Sequence, residues 1–240
     1  MKILAIDSSG AAASAAVLNE TTLIGEITLN NRLTHSQSLL PMIDEVMRMT
    51  GTEGAELTCI AVAAGPGSFT GLRIGASTVK GLAMVYDKPI AAVPTVDALA
   101  CNYYGASQLV CPLLDARRGQ VYGGLYRFTE DGLQALVPQT CTELSELLGK
   151  VNALGQEVLF LGDGADAYRA RIPELTEVPY RFAPPHLSKQ RAGSVGLLAL
   201  QYAKENKYTT AVEFVPEYLR KSQAEREREA RGTEASGAEA

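Results

Sequence analysis

The 240-residue chain has no tryptophan, only two histidines and four cysteines, and it lacks several signatures that would settle a chemistry at once. No run of some 18 apolar residues is present, so a membrane-spanning helix is excluded. Cys59, Cys101, Cys111 and Cys141 show no C-x-x-C spacing. Each lies in or beside an apolar stretch, which predicts buried, reduced thiols rather than a metal site or disulfide framework. His35 and His186 are far apart in sequence and too few to form a metal-ligand cluster, which argues against a metallopeptidase. There is no G-x-S-x-G elbow for a serine hydrolase. No basic run interrupts a net charge of −5, whereas a protein holding nucleic acid by itself is expected to carry a basic face. Met1-Lys2-Ile3-Leu4 reads straight into a strand, with no signal peptide, and a cytoplasmic location is expected. The hydrophobic content of 46% is enough to build one large core or two small ones.

Glycine is where the chain is unusual. Ala64-Gly65-Pro66-Gly67-Ser68-Phe69-Thr70-Gly71-Leu72-Arg73-Ile74-Gly75 joins an apolar run at 57–64, read as a buried strand, to a helical run at 70–86. Ser68 or Thr70 suits the N-cap. A strand-to-helix turn of this kind can meet anions, but the spacing of a P-loop, G-x-x-x-x-G-K-[ST], is absent, and Thr70 breaks G-x-G-x-x-G. Gly71 and Gly75 share one helix face with Thr78, and each costs about 1 kcal/mol of helix stability relative to alanine. That face therefore calls for close backbone approach, either within the core or to a partner.

Elsewhere the pattern alternates strands and helices. Strands are expected at 3–6, 12–18 and 23–29. A helix follows Thr34, opened by a Thr34…Gln37 capping box and carrying Leu39, Leu40, Ile43, Val46 and Met47, with a kink or later start at Pro41. A strand at 89–93 and a helix at 96–104 close the first half. The second half reads as strand 109–114, turn 116–120, strand 121–126, a weaker strand near Leu136, helix 142–151, strand 157–161 and helix 192–205, with 165–187 unassigned. Strand-Asp-turn-strand occurs at Ile6-Asp7-Ser8 and again at Leu114-Asp115-Ala116. Asp7, Ser8 and Ser9 form either a phosphate-facing hairpin with a magnesium-holding carboxylate or a plain Asx turn. Asp115 with Arg117 and Arg118 is either an anion grip or a solvated hairpin with a local ion pair. Gly162-Asp163-Gly164 is a turn at a strand end.

The 65–75 segment closely resembles the signature of the bacterial TsaB (YeaZ) family, in the actin-like ATPase (ASKHA) superfamily. Lys80-Gly81-Leu82-Ala83, His35-Ser36 with Leu39-Leu40-Pro41, Asp115-Ala116-Arg117-Arg118 and Val215-Pro216-Glu217-Tyr218-Leu219-Arg220 extend the resemblance over residues 1–220. It implies an α/β fold of two actin-like (ribonuclease H-like) lobes, each a mixed sheet flanked by helices, the second abbreviated. The lobes would span 1–104 and 105–220, before a disordered tail at 221–240. It also implies a non-catalytic subunit that pairs with TsaD, joined by TsaE. TsaD transfers threonylcarbamoyl to N6 of adenosine 37 in tRNAs reading ANN codons.

Asp7, Ser8, Ser9, Asp115, Gly162, Asp163 and Gly164 would then border a vestigial nucleotide cleft, with weak or absent Mg-ATP binding and no cofactor required. A metal is expected in TsaD, whose helical H-x-x-x-H pair has no counterpart here. The matching stretch, Thr95 to Cys101, holds only Asp97 and Cys101 at that spacing, and Cys101 reads as core. No catalytic residue and no metal ligand is assigned. His35, Leu39, Ile43, Val46, Gly71, Gly75 and Thr78 are expected at a partner interface, which could also make a homodimer. tRNA would be reached through the complex. The competing expectation is a stand-alone actin-like ATPase or kinase, with the metallopeptidase behind it.

Overall fold

The computed structural model describes residues 1–31 and 33–220. The expected tail at 221–240 lies outside them.

The first half builds β1 (Lys2–Asp7), β2 (Ala13–Asn19), β3 (Leu23–Leu29), α1 (His35–Thr50), β4 (Cys59–Gly65), α2 (Phe69–Tyr86), β5 (Ile90–Pro94) and α3 (Thr95–Ala100). The second half builds β6 (Leu109–Arg117), β7 (Gln120–Thr129), β8 (Gly132–Glu143), α4 (Leu144–Leu154), β9 (Val158–Leu161), α5 (Asp163–Ala167), α6 (Ile172–Leu175), β10 (Tyr180–Phe182) and α7 (Ala192–Lys204). One sheet runs β3-β2-β1-β4-β5 and the other β8-β7-β6-β9-β10. In both, the first three strands form an antiparallel meander and the last two are parallel additions beside the first. The Asp-turn echo in the sequence is therefore a duplication of whole topology. Strand number is complete in the second lobe. The abbreviation is in its helices: α5 and α6 have five and four residues, against sixteen and eighteen in α1 and α2.

Helices on both sides bury both faces of the central strands. Every residue of β4 is buried, as a strand covered on two faces requires. Leu4, Ile6, Val62, Leu39, Ile43, Val46 and Val79 join α1 and α2 to one face of the first sheet. Ile3, Ala5, Ala61, Val195 and Ala199 join α7 to the other. Although α7 belongs to the second half of the sequence, it packs on β1, β2, β4 and β5. A lobe boundary that assigns all of 105–220 to the second lobe is thus corrected: α7 turns its apolar side to the first sheet and covers that face together with Ala98 of α3 and Cys101.

Three local expectations also change. Helix α1 starts at His35 and runs through Pro41, whose missing N–H falls on an exposed face. The turn after β6 contracts to Arg118-Gly119, with φ of 58° and 82°, the two-residue hairpin geometry that matches strand twist. β8 is twelve residues long, with Pro138 inside it, and an edge strand tolerates a residue that cannot donate. Among the described residues no helix is long and apolar enough to cross a membrane. The cysteines are free: Cys59, Cys101 and Cys111 are buried and Cys141 is half-buried.

Candidate functional site: the cleft between the lobes

Both lobes carry an aspartate at or near the end of their first strand that folds back on its own turn. In the first lobe, Ser9 donates to Asp7 Oδ1 from its backbone N–H at 2.8 Å and from its hydroxyl at 2.6 Å. In the second, Arg117 N–H donates to Asp115 Oδ1 at 2.8 Å. These are Asx turns at equivalent places, which for Asp7 is the plainer of the two readings the sequence left open. Each engages one backbone N–H of its turn. Asp7 is buried, and desolvation raises its pKa from 3.8 to about 6, against the lowering effect of the Ser9 bonds and nearby His35.

The glycine-rich stretch seals the first turn. Ser68 caps α2 by accepting from Gly71 N–H at 3.3 Å, and its own N–H donates to the Ser9 carbonyl at 2.7 Å. Ser8 Oγ donates to the Gly71 carbonyl at 2.9 Å. A Cβ at Gly67 or Gly71 would strike the carbonyls of Ser9 and Ser8, and one at Gly75 would strike Ser8 Oγ. These glycines exist so that α2 can lie on the backbone of the β1–β2 turn. In the second lobe Gly162 and Gly164 do the same against Leu113 and Leu114, at the start of α5. The Asp163 carboxylate there accepts from Asp115 N–H at 3.3 Å, and burial raises its pKa.

Between the lobes lies a cavity of about 760 Å³. Of the residues expected to border it, Ser9, Asp115 and Asp163 do so. Asp7 and Ser8 are buried beneath it, and Gly162 and Gly164 pack against β6 instead. The C-terminal strap forms the remaining wall, which the reading of single motifs missed. Phe214 anchors this strap in the first core. Glu217 N–H donates to the Ala64 carbonyl at 2.7 Å, and Tyr218 stacks on Phe69 with ring centroids 4.6 Å apart. Arg73 lies over the other partner, 3.9 Å from the Phe69 centroid. Gln139 of β8 donates to both the Gly65 carbonyl (3.2 Å) and the Glu217 carboxylate (2.9 Å), and Arg220 donates to the Ala116 carbonyl. The strap therefore ties the two lobes together. Its one sequence signal was the Val215–Arg220 motif.

The expected partner face needs correction. Leu39, Ile43 and Val46 are core residues, because the apolar stripe of α1 points at its own sheet. Gly71 and Gly75 face Ser8. His35 Nε2 donates to the Gly10 carbonyl at 2.8 Å, bracing the hairpin. Thr78 and the half-buried His35 remain on the outer side, lining a groove between α1 and α2 with Leu40, Ile74 and Ser77. The outward residues are instead Leu40, Met84 and Val85, which are 55%, 73% and 77% exposed. Apolar residues off the core stripe of an amphipathic helix were the available signal. At the Asp97/Cys101 pair, Tyr126 hydroxyl donates to Asp97 at 2.6 Å, and Cys101 is buried core. Among the described residues no three His, Cys, Asp or Glu side chains gather to hold a metal.

The family model described as "TsaD: tRNA N6-adenosine threonylcarbamoyltransferase" matches residues 22–228. The chain is 33% identical over 225 residues to the tRNA threonylcarbamoyladenosine biosynthesis protein TsaB of Bacillus subtilis, covering 94% of this chain and 96% of that one. It is 36% identical over 136 residues to the TsaB protein of Escherichia coli, covering 55% and 58%. The solved structure of YeaZ from Pseudomonas aeruginosa superposes with a TM-score of 0.78 at 27% identity, over 91% of this chain and 99% of that one.

Proposed function

The chain belongs to the TsaB family of the actin-like ATPase superfamily, as a subunit for making threonylcarbamoyladenosine on tRNA, and from that premise we propose that it acts without catalysing the transfer itself. It pairs with TsaD, is joined by TsaE, and supports transfer of threonylcarbamoyl to N6 of adenosine 37 in the cytoplasm. TsaD supplies the metal.

The observation that carries this reading is the outer side of α1 and α2, where Leu40 stands exposed in a groove with Ile74 and Thr78 and where Met84 and Val85 stand exposed further along α2. Large apolar side chains gathered on one face mark an interaction surface. A helix pair of this kind packs against a like pair as a four-helix interface. The same self-complementary face makes a homodimer that competes with the heterodimer. The cleft chemistry supports the non-catalytic role. Asp7 and Asp115 each engage a backbone N–H of their own turn, and Mg-ATP binds weakly there, which calorimetry on the isolated chain reads.

The test is co-purification with TsaD of Met84→Glu/Val85→Glu. Pairing is lost while the melting temperature stays unchanged, because neither side chain is in the core. Undiminished pairing defeats the surface. Modified tRNA formed from threonylcarbamoyl-adenylate without TsaD, at the rate of the full set, defeats the non-catalytic role.

A further inference from the structure

Four arginines line the mouth of the inter-lobe cavity on a chain whose net charge is −5: Arg73, Arg117, Arg118 and Arg220. They arrive from α2, from the β6–β7 tip and from the strap, so no basic run in the sequence announces them.

The carboxylates sharing that cavity are engaged inward. Asp115 accepts from Arg117 N–H and from the Tyr168 hydroxyl at 3.2 Å. Asp163 accepts from Asp115 N–H, and Glu217 from the Gln139 amide. The guanidiniums at the tip are differently placed. The Arg117 side chain is 85% exposed and holds Asp115 by a single contact at 3.3 Å. Arg118 is exposed and has no hydrogen bond or ion pair among the described residues.

Both residues adopt left-handed backbone conformations, with φ of 67° and 58°. Arginine lacks the short polar side chain that eases this conformation for Asn or Asp. The tight hairpin holds both side chains at the tip, over the cavity mouth. Beside them the Phe69–Tyr218 pair walls the same cavity with aromatic surface.

We propose that this arginine-lined mouth grips the phosphodiester backbone of tRNA, so that the chain touches the RNA itself rather than only through its partner. The proposal rests on the reading of the chain as a subunit of a tRNA-modifying complex. Paired guanidinium forks match phosphate oxygens, and an adjacent aromatic wall suits a stacked base. A cavity between two lobes accepts a protruding nucleotide better than the flat acidic face of a protein.

The test uses the assembled complex with TsaD and unmodified tRNA. Arg117→Asn/Arg118→Asn keeps a residue that tolerates positive φ and removes both charges. It lowers tRNA affinity roughly tenfold at physiological salt and flattens the dependence of log affinity on log salt by about one to two units. Arg117→Lys/Arg118→Lys retains the salt slope. Ultraviolet crosslinking of the unsubstituted complex places tRNA on the peptide containing Arg117, Arg118 and Tyr122. Unchanged affinity and slope in the Asn variant, or crosslinks confined to TsaD, overturn the proposal. So does loss of a protein component with unchanged RNA affinity of the remaining complex, which would make the mouth a protein contact. Failure of the unsubstituted chain to pair with TsaD would instead refute the underlying reading, and gel filtration separates the two.

Discussion

Gly71 lies against the carbonyl of Ser8, so close that a Cβ on residue 71 would collide with that oxygen. The start of α2 thereby closes over the β1–β2 turn. One backbone contact accounts both for the cost of a glycine inside a helix and for the burial of Ser8.

Gly71→Ala is expected to destabilise the protein by about 1–3 kcal/mol, the usual cost of overpacking a core. The gain in helix propensity of about 1 kcal/mol offsets only part of it. Gly75→Leu, which drives an isobutyl group into Ser8 Oγ, costs more and is a probe of folding rather than of pairing. Urea denaturation measures both; an unchanged midpoint for either would show that the helix can lift away freely.

Asp7 provides a pH signature. Its folded pKa, about 6, lies above the ordinary 3.8, because burial disfavours the carboxylate. Between those values the folded state holds the proton more tightly than the unfolded state. Stability from this group is therefore fully present below pH 3.8, is lost as pH rises through 6, and is absent above it. The full change is about 3 kcal/mol. Asp7→Asn keeps a carbonyl for both Ser9 donors and removes the charge. Denaturant midpoints from pH 4 to 7 should fall with rising pH in the parent relative to Asp7→Asn; parallel curves would contradict the assignment.

The strap depends on Gly65. Its φ is 121°, and a Cβ there would strike the Glu217 carbonyl. Gly65→Ala is expected to dislodge the 214–220 segment. The readout is hydrogen exchange at the Glu217 amide, now bonded to the Ala64 carbonyl at 2.7 Å. Exchange there should accelerate at least tenfold, the effect of losing about 1.4 kcal/mol of protection. Retained protection would mean that Phe214, Tyr218, Arg220 and the Gln139–Glu217 bond hold the strap without the close approach at Gly65.

The legible parts of the fold were those decided locally. β3 spans Leu23–Leu29 in both readings, and α7 differs from its expected range by one residue. The Thr34…Gln37 pair opens α1 where expected, with Gln37 Oε1 accepting from Thr34 N–H at 3.4 Å and from its hydroxyl at 3.0 Å. β8 was underestimated because Pro138 and the polar residues around it suit an edge strand, which carries a weaker alternation than a buried one. In the cleft, the aspartates were legible and their internal bonding was not. An Asx turn and a phosphate hairpin use the same residue types, and they differ only in where the N–H groups point.

The sequence by itself determined the alternation of strands and helices, the two Asp turns and three buried thiols, because each rests on the periodicity or spacing of neighbours, and it pointed to the family through the resemblance of its motifs. Only the tertiary structure decided which way a helix face turns. Leu39 and Leu40 are adjacent and chemically identical, yet one is 1% exposed and the other 55%. A helix turns about 100° per residue, and which of the two meets the core depends on where the sheet lies. The same holds for Gly71 and Gly75, which meet Ser8 only because β1 and α2 lie side by side across more than sixty residues of chain. It holds also for the four arginines, which share one cavity because the strap returns from the second half of the chain to cross between the lobes.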